Sequence, residues 1–106
     1  PRMRKILLVW MGEVSQEFGL KRDSLHTAVH FVDRYLDLTN DVERNVLQLI
    51  GVTALFLASK LEEDMPLPVI DFSTATDMSC SCEEIIAMES RMVSVLDFQL
   101  MPLHLP

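Results

Sequence analysis

This chain of 106 residues is poor in the residues that most often carry special chemistry: it has two cysteines, three glycines, one tryptophan and one tyrosine. Each scarcity excludes something. Cys80 and Cys82 lie one residue apart, a spacing at which disulfide geometry is strained, so a reducing compartment is expected. Gly12, Gly19 and Gly51 stand alone, which rules out a glycine-rich phosphate loop. Basic residues are also few: nine Lys and Arg face sixteen Asp and Glu, for a net charge of −7. Such a balance works against a phosphate backbone, and no nucleic-acid partner is expected. No stretch shows the basic, apolar and small-residue order of a signal peptide. The longest greasy run, Val46 to Ala58, is too short to span a bilayer and is interrupted by Gln48 and Thr53, so no membrane partner is expected either.

What is present is apolar content in helical register. Hydrophobic residues make up 49% of the chain, which excludes a disordered or collagenous polymer and suits one densely packed domain spanning residues 1–106. From Met3 to Phe18, apolar residues at Met3, Ile6, Leu7, Trp10, Met11, Val14 and Phe18 trace one helical face, with Gly19 as terminator. Leu8 and Val9 fall off that stripe, so the first helix carries more grease than one buried face needs. Asp23 or Ser24 is expected to cap a second helix carrying Leu25, Val29, Val32 and Leu36. Asn40, with Glu43 three residues on, resembles a capping box opening a third.

That third helix is apolar nearly all the way round, and Gly51, Ala54 and Ala58 would let neighbours approach closely, as in the centre of a bundle. Pro66 and Pro68 break the chain, and Pro68 suits the first turn of a short helix reaching about Ala75. Ser81 and Glu84 form a second capping-box pattern before a fifth helix through Ile85, Ile86, Met92 and Leu96, with Pro102 beyond it. The expected fold is all-α, five helices with the third buried at the centre.

Chemistry is harder to find. His26 and His30 share a helical face at i, i+4, but no third ligand stands at a suitable spacing, and Cys80-Ser81-Cys82 lacks the second pair a structural zinc site needs. No metal or cofactor is expected. Glu62, Glu63 and Asp64 read as a solvated helix end rather than a catalytic dyad, and no nucleophile signature is legible, so the chain is not expected to be an enzyme. Lys60 ends the apolar helix beside those acids, where snorkelling to solvent is the plain reading. Glu89, between Met88 and Met92, raises the same question.

Five separated segments resemble, in order, the N-terminal cyclin box of cyclins, the activating subunits of cyclin-dependent kinases. M-R-K-I-L-L-V-W-M-G-E-V is similar to the family's opening element, F-V-D-R-Y-L to its second, and L-Q-L-I-G with L-A-S-K-L-E-E to its central helix. T-D-M-S-C-S-C-E-E-I and A-M-E-S are similar to the lead into its fifth helix. V-L-Q-L-I-G, S-K-L-E-E and the segment from Thr76 to Ile85 look most like E-type cyclins, while M-R-K-I and W-M echo D-type. L-M-P-L-H-L-P resembles the bridge to a second repeat, which would make this chain a fragment. Val9 departs from the acidic residue that many cyclins place before the tryptophan, and Ser90 is smaller than the family's usual residue there.

The resemblance implies a regulator of cell-cycle progression, at the entry to DNA synthesis, acting in nucleus and cytoplasm. It implies a cyclin-dependent kinase as partner, contacted by Lys60, Glu89, Leu61, Glu63 and Phe98. It also implies a groove for Arg-x-Leu segments of substrates and inhibitors, formed by Met3, Ile6, Leu7, Trp10, Glu13, Leu47 and Gln48. Arg4 and Asp33 match an internal pair tying the first helix to the second. The alternative is a transcription factor of the same fold, which would be expected to show a basic face, or another helical protein-interaction module.

Overall fold

The computed structural model describes residues 2–39 and 43–96, with backbone only at 44 and 45. Five helices follow one another: α1 (Arg2–Phe18), α2 (Arg22–Leu38), α3 (Arg44–Glu62), α4 (Val69–Ala75) and α5 (Cys82–Leu96). No strand occurs among the described residues. The helix ends follow local chemistry. Gly19 takes the left-handed conformation at φ 67°, and the N–H groups of Leu20 and Gly19 bond back to Ser15 and Gln16, closing α1 in a Schellman turn. At α5 the Ser81 hydroxyl accepts the Glu84 N–H at 3.1 Å while the Glu84 carboxylate accepts the Ser81 N–H at 2.8 Å, the reciprocal capping box read from the spacing.

Three expected starts are displaced. Helix α2 begins at Arg22 with Lys21 as cap, so Asp23 and Ser24 sit within its first turn. The acceptor comes from another helix: the Glu63 carboxylate takes both the Lys21 N–H and the Ser24 hydroxyl. Helix α3 begins at Arg44, capped by Glu43, so Glu43 is not the third residue of a box; Asn40 lies outside the described residues. Pro68 is the cap of α4 rather than part of its first turn, with φ −70° and ψ 159°. Its own extended conformation keeps it just outside the helix. Pro102, the expected end of the fifth helix, lies outside the described residues.

Helix α3 packs against all four others, and every residue from 50 to 59 is buried. Its small residues make this possible. A Cβ on Gly51 would stand 2.7 Å from Leu7 Cδ1, closer than carbon atoms tolerate, so glycine lets α1 lie against α3. The far side of the core is closed by Phe72 of α4, whose ring meets Phe18 edge-on at 5.6 Å and Phe56 at 5.5 Å. Two buried side-chain polar atoms, Arg34 Nε and the Thr53 hydroxyl, have no hydrogen-bond partner among the described residues, and Thr53 is fully buried in the core. Thr53→Val keeps the shape and removes a desolvated donor, so it should stabilise the fold by about 1 kcal/mol, read as a higher urea midpoint at unchanged slope.

Candidate functional site

Two surfaces gather the residues singled out in the sequence. The first lies between α1 and α3. Leu7, Met11 and Val14 turn inward, which leaves Met3, Ile6 and Trp10 on the rim of that packing seam. With Leu47 and Gln48 of α3 they wall an open groove of about 410 Å³. Six of the seven residues expected there line it; Glu13 is exposed one turn beyond Trp10 and is not part of its wall. Ile6 is 61% exposed and Trp10 is half-buried, so much of the surplus grease of α1 faces solvent instead of core. Val9, off the stripe, is exposed as well.

The second surface joins the C-terminal end of α3 to the middle of α5. Lys60 pairs with Glu89, and its ammonium lies 4.6 Å from the centre of the Phe56 ring one turn earlier. Phe56 escaped notice in the sequence, although its i, i+4 spacing from Lys60 was the available signal. Leu61 is 53% exposed beside the pair, and Ile86, one turn before Glu89, is 50% exposed. An ion pair flanked by uncovered apolar residues is an uncommon surface for a chain to leave in water. Phe98 lies outside the described residues.

Glu63 does something the sequence did not suggest. Its carboxylate crosses to the start of α2, accepting the Ser24 hydroxyl at 2.5 Å and the Lys21 N–H at 2.6 Å. Beside it the Thr27 hydroxyl donates to Glu62 at 2.9 Å, and Lys21 Nζ reaches the Glu62 carbonyl at 3.2 Å. The acids read as a solvated end are thus a latch between α3 and α2. The Ser24 hydroxyl, then the Lys21 N–H, hold Glu63 below the ordinary glutamate range. A carboxyl depressed in the folded state stabilises fully above its unfolded value, about 4.3, and loses that contribution as pH falls through the lower folded value. Glu63→Gln should therefore flatten the loss of stability between neutral pH and acid, measured as urea midpoints across that range.

Arg4 Nε and Nη2 donate to the two oxygens of Asp33 at 2.8 and 2.9 Å, a bidentate pair joining α1 to α2. It is open to solvent and orients the helices more than it stabilises them. His26 and His30 are both exposed, and Cys80 and Cys82 are free thiols. Among the described residues no three His, Cys, Asp or Glu side chains converge as a metal site would require, and no helix is long and apolar enough to cross a membrane.

A helical core that leaves an apolar groove and a charged, grease-flanked helix end at its surface has the form of a protein-binding module. Residues 1–101 match the family model described as Cyclin, N-terminal domain. The chain is 43% identical over 102 residues to mouse G1/S-specific cyclin-E1, covering 96% of this chain and 25% of that protein. It is 40% identical over 103 residues to the fruit-fly G1/S-specific cyclin-E, covering 97% of this chain and 14% of that protein. It is also 39% identical to G2/mitotic-specific cyclin-B of Drosophila melanogaster, covering 97% of this chain and 20% of that protein. The chain belongs to the cyclin family, through its N-terminal domain. It spans a quarter or less of the length of these curated relatives.

Proposed function

We propose that this chain is the part of a cell-cycle cyclin that binds and activates a cyclin-dependent kinase and recruits partners bearing an Arg-x-Leu segment, at the passage from G1 into DNA synthesis and in nucleus and cytoplasm. The observation that carries the reading is the groove: a family match over residues 1–101 coincides with an exposed apolar cleft walled by six of the seven residues that the family resemblance assigns to docking. A leucine side chain suits its walls, Trp10 offers a large anchor, and Glu13 just beyond can pair with an arginine.

Kinase activation would use the other surface. Leu61 and Ile86 offer apolar area to a partner helix, while Lys60 and Glu89 set its register. Pressed inward, the kinase helix brings its glutamate to the active-site lysine, an ion pair that phosphoryl transfer requires. Because the Glu63 carboxylate is already engaged with α2, its part in this contact is to hold the end of α3 in place.

The test is a titration of the chain against monomeric cyclin-dependent kinases, with phosphorylation of peptides that carry or lack Arg-x-Leu as a second readout. Binding, activation and a preference for the Arg-x-Leu peptide that falls about tenfold in Leu47→Ala are expected, since truncating an anchor wall costs 1–2 kcal/mol or more. A folded chain that binds no kinase sinks the activating role. Equal phosphorylation of both peptides sinks the docking role.

A further inference from the structure

Lys60 has two partners of unlike kind. Its ammonium pairs with the Glu89 carboxylate of α5 and lies 4.6 Å from the centre of the Phe56 ring, one turn earlier in its own helix. Burial alone does not call for a ring at position 56, because Leu55 and Leu57 on either side fill the same core with aliphatic side chains. What a ring adds is a negative face, which attracts a cation without carrying a charge.

That ring is fixed from within. Phe56 is buried against Phe72 at 5.5 Å, and Phe72, itself fully buried, meets Phe18 edge-on at 5.6 Å. Rings from α1, α4 and α3 thus form one packed series, and the Phe56 face cannot turn away from Lys60 without repacking the core. Lys60 is the opposite kind of side chain, a flexible four-carbon stem that is 42% exposed. A rigid seat lies under a mobile cation.

We propose that Phe56 is a positioning residue of the kinase surface: its ring holds the Lys60 ammonium where the kinase meets it, and holds it more strongly once the kinase excludes water. The inference rests on the kinase-binding reading above. A contact of equal strength before and after binding would leave affinity unchanged. This one does not stay equal. In the free domain water competes for the ammonium, and when a partner helix covers the surface that competition ends and the attraction between ring and cation rises. The lysine stem has also given up part of its rotamer freedom before the kinase arrives, so binding has less to fix. Together these effects correspond to about fivefold in affinity.

The experiment replaces Phe56 by phenylalanines bearing one, two and three fluorine atoms on the ring, a series that drains the negative face while barely changing its size. Each chain, made by chemical ligation, is titrated against the monomeric cyclin-dependent kinase that the unsubstituted chain binds best, after circular dichroism has confirmed its helical content. Affinity should fall stepwise, to about fivefold at three fluorines. In Lys60→Met, which keeps a long stem and removes the charge, the same series read at higher kinase concentration should be flat. Equal affinity along the series overturns the proposal, as does a fall that persists in Lys60→Met, since either outcome makes Phe56 a packing residue only. An unsubstituted chain that binds no kinase would instead remove the kinase-binding reading, and the positioning role with it.

Discussion

Lys60→Glu is expected to weaken binding to a cyclin-dependent kinase by about a hundredfold while leaving the helical content of the chain unchanged. The two effects separate because of where Lys60 sits. Its side chain is 42% exposed and that of Glu89 16%, so the half-open pair adds modestly to folding, and the Phe56 ring beneath it adds about 0.5–1 kcal/mol. Once a partner covers the surface, the same charge is desolvated, and removing one member of a buried pair costs about 2–5 kcal/mol.

A double exchange, Lys60→Glu with Glu89→Lys, sharpens the test by restoring attraction within the domain while inverting what the kinase meets. Binding that stays lost would assign the charges to the interface. Recovery in the double exchange would make the pair an internal strut, and unchanged affinity in the single variant would take Lys60 out of the interface altogether.

Phe72→Ala should remove about 3–5 kcal/mol of stability, a large share of the roughly 5–15 kcal/mol that holds a domain together. Phe72 is fully buried, and its ring touches both Phe18 at the end of α1 and Phe56 in α3. Its removal leaves a cavity and costs both aromatic contacts, each worth about 0.5–1.5 kcal/mol beyond burial. A urea titration followed by circular dichroism measures the loss. Phe72→Leu, which keeps most of the volume, should recover more than half of it. The change should also weaken kinase binding, because α4 packs against both α3 and α5, the helices that carry Lys60 and Glu89.

Much of the fold was legible because helices announce themselves locally. The 3–4 spacing of α1, the Ser81 and Glu84 box, and the all-round apolar character of α3 are properties of segments a few turns long, and the structure follows each of them. The start of α2 was not legible, since its capping oxygen belongs to Glu63, 42 residues from Lys21. No window of neighbouring residues contains that information.

The candidate site divides along the same line. Lys60, Glu89 and the apolar surplus of α1 could be singled out as residues whose place in a simple core was unexplained. Only the tertiary structure decided that Lys60 meets Glu89 across two helices, and that Gly51 lets Leu7 settle against α3 and so shapes a groove. Periodicity along a helix determines which face is apolar; how much of that face stays open depends on the partner helix and the side chains it brings, and these come from distant parts of the chain.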